Sequence, residues 1–324
     1  MLIARPRRRG RIRCGRVALR AVAAAAALAA AAAVADDPRR FESDPPIRCE
    51  SCDEWNAVEA PFRVYGNTYS VGTAGLGAVL VTSPAGHVLL DGGLPQSAER
   101  IDASIRALGF RTEDVRLILN SHAHYDHAGG IAALQRRSGA QVAASAQGAR
   151  ALEGGGPTSD DPQYAPGDGG FPRVMRVRVV SDGEVLRAGG VAITARMTPG
   201  HTPGATTWTW RSCEGERCLD VVYADSLTPV SLPGYRFTGG AGRASIVASF
   251  ERSIDVVAGL KCAVLLAAHP ERSPMYETLK ARGASAGAPP VVDAGACRAY
   301  AAAARQRLER RVAEEKASVP APDR

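Results

Sequence analysis

The chain has 324 residues, of which 45% are hydrophobic and 23% are charged. This composition is typical of a soluble globular protein and excludes disordered, collagen-like and multi-spanning membrane proteins. The net charge is +7, but residues 1–35 hold eight arginines and no acidic residue, so the remainder carries a net charge of −1. A nearly neutral remainder does not indicate a nucleic-acid partner.

The first 35 residues have the pattern of an export signal. An arginine-rich start precedes the apolar run 21–34, which is short and alanine-rich for a transmembrane helix. Ala33-Val34-Ala35 then matches the A-x-A cleavage pattern. An uncleaved membrane anchor is the alternative. We predict a signal peptide over 1–35 and a periplasmic or secreted mature protein without stable membrane association.

Beyond the leader, the hydrophobic pattern predicts strands and helices in both halves of the chain. The first half has predicted strands at 62–65, 68–72, 78–82, 88–90 and 115–119 and helices at 96–108 and 129–137. A loop rich in glycine, proline and aspartate follows at 154–171. The second half has predicted strands at 174–180, 191–195, 205–210, 219–223 and 263–266 and helices at 245–260, 275–281 and 295–316.

This order of elements favours two packed sheets that are covered by helices on the outside. We find no linker between the halves, and we therefore predict an α/β fold with one domain over 36–318 and a disordered tail at 319–324. Six cysteines remain after the leader. Cys213 and Cys218 flank a polar tip between two predicted strands, which favours a disulfide across a hairpin. Cys262 and Cys297 could tie the last helix to the sheet.

Cys49 and Cys52 form a C-x-x-C motif. Such a motif can be a redox pair or half of a zinc site, but no predicted strand precedes it and no predicted helix follows it convincingly. A small structural disulfide or two free thiols is therefore the favoured interpretation.

The chemically distinctive segment follows the predicted strand 115–119. It reads H-x-H-x-D-H and holds His122, His124, Asp126 and His127 on a strand-to-helix turn. Adjacent Asp126 and His127 point differently from the first two histidines, so one ion cannot take all four. Two metal ions about 3.5–4 Å apart would satisfy them.

Two of the three remaining histidines also lie in turns after predicted strands. His201 lies in the rigid turn T-P-G-H-T-P-G, and His269 follows the strand 263–266. Together with the cluster they complete two zinc sites of three ligands each, which leaves room for water as in catalytic zinc sites. His87 lies in a predicted turn between strands and is not assigned a role.

These motifs resemble the metallo-β-lactamase fold superfamily, and finer features resemble subclass B3 of the metallo-β-lactamases. The finer features are D-G-G-L-P-Q-S at 91–97, the turn at 198–204 and Y-A-D-S-L at 223–227. The placement of Cys262 and Cys297 matches as well. The resemblance implies a four-layer αβ/βα sandwich of two mixed sheets with helices on both outer faces.

The resemblance also implies which residues bind two Zn²⁺ per chain. The first zinc would be held by His122, His124 and His201. The second would be held by Asp126, His127 and His269. Asp91 would be a structural support beside the metals.

Further residues are expected to bind the substrate. The resemblance implies that Ser226 and Thr228 bind the substrate carboxylate, although a proline-containing insertion makes Ser231 a rival. Gln163 and Tyr164, in the loop 154–171, could touch the substrate side chains or belong to an unconstrained surface loop.

The implied enzyme is a zinc-dependent β-lactamase that confers antibiotic resistance. Two zinc ions would lower the pKa of a shared water to about 7, and the hydroxide, oriented by Asp126, would attack the amide of penicillins, cephalosporins or carbapenems. The substrate is a small molecule, and no protein or nucleic-acid partner is implied. The alternative is a glyoxalase II-like thioester hydrolase, in which Asp225 rather than Ser226 faces the metals.

Overall fold

Two β-sheets organise the chain. The structure, a computed structural model, describes residues 41–240, 242–283 and 289–318. The predicted signal peptide and the predicted tail therefore lie outside the described residues. The described residues from Glu42 onward belong to one compact unit.

The first sheet has seven strands in chain order. They are β1 Phe62–Tyr65, β2 Thr68–Ser70, β3 Val79–Val81, β4 His87–Leu90, β5 Val115–Leu119, β6 Gln141–Ser145 and β7 Arg178–Val180. The first four are antiparallel neighbours, and β4 to β7 are parallel neighbours. The sheet is therefore mixed.

The second sheet has five strands in the order β12-β11-β10-β9-β8. They are β8 Val185–Ala188, β9 Val191–Met197, β10 Thr206–Glu214, β11 Arg217–Ala224 and β12 Val264–Ala267. Only the pair β11 and β12 is parallel, so this sheet is mixed as well.

Helices pack on each sheet. They are α1 Cys52–Trp55, α2 Ser97–Ala107, α3 Tyr125–Ala128, α4 Ile131–Ser138, α5 Ala146–Gly154, α6 Val247–Ala258, α7 Tyr276–Gly283 and α8 Ala296–Ala317. Helices α4 and α5 contact the first sheet, and α8 contacts β12 and α6. The predicted sandwich is confirmed. Among the described residues, none of the helices has the length and apolar character needed to span a membrane.

The core between the sheets also supports the segments that follow the strands. Trp208 and Tyr223, both fully buried, belong to the second sheet. Trp208 Nε1 donates to the carbonyl of Asn120 at 3.1 Å, and the Tyr223 hydroxyl donates to Asp91 Oδ2 at 2.8 Å. The second sheet thus fixes residues at the ends of strands β4 and β5 of the first sheet.

The sequence missed β6, α5 and β8, and it misplaced several boundaries. Strand β6 and helix α5 are rich in alanine, which has no strong strand preference and gives little periodicity. The strand predicted at 174–180 begins only at Arg178, because Arg176 has a φ of +57°, which a strand does not accommodate.

Other predictions near the site need correction too. The helix predicted at 129–137 is α4, which begins at Ile131, and a separate short helix that was not predicted, α3, precedes it and contains Asp126 and His127. A helix does follow the C-x-x-C motif, since α1 begins at Cys52. His87 is the first residue of β4 and is buried against Phe110, rather than lying in a turn.

Three disulfides join cysteines of the described residues. Cys213 and Cys218 face each other across the β10–β11 hairpin, and Cys49 is bonded to Cys52. Cys262 is bonded to Cys297 and links the start of β12 to the first turn of α8.

We expect the Cys262–Cys297 bond to contribute most to stability. Replacing both cysteines with serine should lower the free energy of unfolding by about 3–4 kcal/mol, because the bond closes a loop of 35 residues. Replacing Cys213 and Cys218 opens a loop of only 5 residues and should lower it by about 2 kcal/mol. Denaturant unfolding of both variants measures the difference, and an equal loss in the two would contradict it.

Candidate metal centre

The candidate metal centre lies where strands of both sheets end. His122 follows β5 and Asp91 follows β4, its parallel neighbour. Ser226 follows β11 and His269 follows β12, which are parallel neighbours in the second sheet. Parallel strands end at the same edge of a sheet, which is where α/β proteins collect their functional side chains.

The cluster changes from extended chain to helix in its middle. His124 has φ −96° and ψ 157°, and the helical turn α3 begins at the next residue. Alternate residues of an extended chain lie on one side, so His122 and His124 lie side by side, with ring centroids 4.9 Å apart. Asp126 and His127 approach from the helical turn instead.

The first group of possible ligands consists of His122, His124 and His201. Each offers a nitrogen within 4.8 Å of the others, and all three side chains are buried. Burial lowers the pKa of His201 to about 3, and burial with the neighbouring imidazoles holds the pKa of His122 well below its usual range. The rings of His122 and His201 are therefore neutral at pH 7, as a metal ligand must be.

The second group consists of Asp126, His127 and His269. Asp126 Oδ2 lies 3.2 Å from His127 Nε2 and 3.4 Å from His269 Nε2. The two Nε2 atoms are 3.2 Å apart. Burial alone would raise the pKa of Asp126, but the two imidazoles hold it well below its usual value. One carboxylate and two ring nitrogens therefore converge on one point.

The second nitrogen of three histidines is occupied by a fixed acceptor. His122 Nδ1 is 2.7 Å from Asp225 Oδ1, His201 Nδ1 is 2.8 Å from the Thr228 carbonyl, and His269 Nδ1 is 3.1 Å from the Gly75 carbonyl. A donated Nδ1–H leaves Nε2 with a free lone pair. His122 Nε2 is buried without a hydrogen-bond partner in the described part of the chain, which fits a metal ligand.

Asp91 holds the segment that leads into the cluster. It is fully buried and accepts hydrogen bonds from Ser121 N, Ser121 Oγ, Asn120 Nδ2 and the Tyr223 hydroxyl at 2.6–3.1 Å. Its backbone has a φ of +59°, which is uncommon outside glycine. This conformation turns the chain after β4 and aims the carboxylate at the start of the cluster.

A cleft of about 800 Å³ opens over both groups. Its lining includes His124, Asp126, His201 and His269, and of the predicted substrate residues it includes Gln163, Ser226 and Thr228. This volume suits a drug-sized ligand.

Two other candidates are not brought to the cleft. Tyr164, which is 36% exposed, is not among the residues that line it. Ser231 does not line it either, since its hydroxyl accepts a hydrogen bond from Arg311 of α8 at 2.7 Å.

Comparisons with known proteins identify the family. The sequence model of the metallo-beta-lactamase superfamily matches residues 78–269, more than half of the chain. The chain belongs to the metallo-β-lactamase superfamily. The Rm3 metallo-beta-lactamase is 52% identical, with a TM-score of 0.79 over 83% of this chain and 100% of that chain. MEM-A1, a subclass B3 metallo-beta-lactamase isolated from a soil metagenome library, is 47% identical, with a TM-score of 0.78 over 82% of this chain and 100% of that chain.

The curated relatives match over shorter stretches. A hydroxyacylglutathione hydrolase of Anaeromyxobacter dehalogenans (strain 2CP-C) is 34% identical over 131 residues, which is 40% of each chain. The chain therefore spans less than half the length of the curated relatives that it matches. The similarity to B3 structures, over 83% and 82% of this chain, confirms the predicted subclass, and the chain is a hydrolase of that family.

Sequence reasoning missed several residues of this site. Asp161 contacts His124, Gly75 contacts His269 through its carbonyl, and Trp55 packs on the His269 ring at a centroid distance of 5.4 Å. Aspartate in a loop is ordinary turn chemistry, and a backbone carbonyl leaves no mark in the sequence. Thr228 was singled out for its hydroxyl, yet its carbonyl also holds His201.

Proposed function

We propose that this protein is a zinc-dependent β-lactamase that hydrolyses the β-lactam amide of penicillins, cephalosporins and carbapenems. The observation that carries the proposal is the pair of adjacent three-residue groups under one cleft, with the Ser226 hydroxyl in its lining. Two three-ligand sites leave open positions for water and substrate.

His122, His124 and His201 would hold one Zn²⁺, and Asp126, His127 and His269 would hold the other. Bound zinc would supply an activated water as nucleophile and a Lewis acid for the carbonyl oxygen. Asp126 is ionised, because His127 and His269 hold its pKa below the usual range, so it can accept a hydrogen bond from the attacking water. The buried side chains of Trp208 and Asp91 form hydrogen bonds with the backbone of Asn120 and Ser121, and they thereby fix the segment that leads into the cluster.

Ser226 and Thr228 would anchor the substrate carboxylate at one end of the cleft. Ser226 is buried, lies in the lining and directly follows the fully buried Asp225. Gln163 lies across the cleft and could contact the side chain of the substrate.

We expect Ser226→Ala to lower kcat/KM for β-lactams by about tenfold to hundredfold while two zinc ions stay bound. One hydrogen bond to a charged group contributes about 1.5–3 kcal/mol, which corresponds to that range. Steady-state kinetics and metal analysis measure both quantities. Ser231→Ala is the control, since its hydroxyl contacts Arg311 outside the cleft and its loss should leave kcat/KM unchanged.

A glyoxalase II-like thioester hydrolase is the second candidate, and the match to a hydroxyacylglutathione hydrolase favours it. In that reading Asp225 would bridge the metals. Asp225 instead accepts a hydrogen bond from His122 Nδ1, and the Nε2 atom that would bind a metal lies on the other side of that ring. This contact supports a role for Asp225 in orienting the imidazole.

Turnover by the purified mature protein tests the proposal. Nitrocefin, a penicillin and a carbapenem are compared with a glutathione thioester, with and without EDTA and after zinc is restored. We expect hydrolysis of the β-lactams, its loss in EDTA and its recovery with zinc. Thioester turnover without β-lactam turnover would reject the lactamase in favour of the second candidate.

We also propose that residues 36–318 form the catalytic domain of an exported, periplasmic or secreted protein. Three disulfides support an oxidising compartment. The mass of the exported protein should correspond to a start near Asp36, and an intact leader would contradict this.

A further inference from the structure

Asp161 is a buried carboxylate behind the cleft, in the loop that connects α5 to β7. Its side chain is 4% exposed. Its two oxygens lie 3.1 and 3.2 Å from His124 Nε2. The imidazole N–H on Nε2 therefore donates to a carboxylate, and Nδ1 carries the free lone pair.

This contact makes His124 different from three other histidines of the site. His122, His201 and His269 each use Nδ1 for their fixed acceptor, which leaves Nε2 free. His124 has the opposite arrangement, because its acceptor lies on Nε2. The ring must present Nδ1, the nitrogen closer to the backbone, which suits a residue on the short extended stretch before α3.

The same carboxylate also shapes the loop over the cleft. Asp161 Oδ1 accepts from the backbone N–H of Gln163 at 2.8 Å. The backbone of Asp161 donates to Thr158, and the Pro162 carbonyl accepts from Leu232 N at 3.0 Å on the other wall. Gln163 lines the cleft, and its amide nitrogen lies 3.5 Å from His124 Nδ1.

We propose that Asp161 is a positioning residue that fixes His124 with Nδ1 towards the first metal and couples the loop 155–171 to that site. The inference rests on the proposed metal centre. A carboxylate that accepts the outer N–H of a ligating histidine sets the tautomer, restrains the ring and raises ligand basicity, and its loss lowers metal affinity by about 10–100-fold. Because Asp161 also binds Gln163, the loop and the ligand are held by one group.

The test uses three variants of the full protein. Asp161→Ala removes the acceptor, and Asp161→Asn keeps a neutral acceptor of the same shape. Asp160→Asn is the matched control, because Asp160 is the exposed neighbour, whose carboxylate contacts Thr158 and, at 4.0 Å, Arg150. Zinc affinity is measured by competition with a chromophoric chelator, and the tautomer of His124 is measured by ¹⁵N NMR of the zinc-free protein.

We expect wild type and Asp160→Asn to hold His124 with its proton on Nε2 and to bind two zinc ions equally well. Asp161→Ala should mix the two tautomers and weaken one of the two zinc sites by at least about tenfold, with the other unchanged. Asp161→Asn should fall between them. These readouts do not depend on the substrate, so a protein without β-lactam turnover can still support the inference. An unchanged tautomer and unchanged affinity in Asp161→Ala would overturn it, as would an equal effect of Asp160→Asn.

Discussion

Asp126→Ala should lose more than about 10³-fold in kcat/KM for β-lactams and should bind about one zinc ion per chain. Removal of a single stabilising donor in an active site already lowers turnover by about 10²–10³-fold. Asp126 has two proposed tasks, since it would ligate the second zinc and orient the attacking water. Within the second group of possible ligands Asp126 is the acidic member, and its carboxylate contacts Nε2 of both His127 and His269.

Asp168→Ala is the matched control for that variant. Asp168 also lies in the lining of the cleft, but it is exposed and belongs to neither group of ligands. It should keep two zinc ions and nearly full turnover. Two zinc ions in Asp126→Ala, or a loss of activity of less than tenfold, would contradict the assigned ligand.

Asp225→Ala should lower the affinity for the first zinc and kcat/KM at limiting zinc by about 100-fold. The carboxylate and the imidazole of His122 are both fully buried, and they form a hydrogen bond of 2.7 Å. Outer partners of ligating histidines contribute about 10–100-fold, and full burial leaves no water to replace this one. The unpaired N–H would also lower the free energy of unfolding by about 1–3 kcal/mol.

Asp225→Asn separates this role from that of a bridging ligand. The amide oxygen can still accept from His122 Nδ1, so we expect two zinc ions and most of the activity to remain. A bridging carboxylate would behave differently, because the neutral amide is a poor metal ligand and zinc occupancy would fall. Metal analysis of the alanine and asparagine variants, with β-lactam and thioester turnover, distinguishes the two roles.

The residues of the candidate metal centre could be proposed from the sequence because they are local or follow strands. His122, His124, Asp126 and His127 lie within six residues. His201 follows β9 and His269 follows β12, and these two strands run in the same direction in the second sheet, so both end at the same edge. These patterns depend only on chain order and strand geometry, so they can be found without tertiary contacts.

The residues that contact the candidate ligands are harder to predict: Asp161 was not singled out, and the sequence left open whether Asp225 faces the metals or supports the site. Asp161 and Asp225 act through contacts across 37 and 103 residues of chain. The carbonyls of Gly75 and Thr228 are backbone groups that any residue possesses. Of the two residues singled out in the loop 154–171, Gln163 lines the cleft and Tyr164 does not.

The missed elements have a related cause. Strand β6 is a short segment, Q-V-A-A-S, and the buried face of helix α5 consists of small residues and a single leucine, so neither stands out as a strongly apolar run. Helix α5 nevertheless positions the loop that carries Asp161, because it ends at Gly154, where that loop begins. An element of weak sequence signal therefore supports a contact to the metal centre.

Titration of the metal-free protein with Zn²⁺, followed by nitrocefin turnover, tests the central claim most directly. Two three-ligand groups predict that turnover is absent without zinc, rises as zinc is added and reaches its plateau at two equivalents per chain. Full turnover of the zinc-free protein, or binding of two equivalents without any β-lactam hydrolysis, would contradict the account.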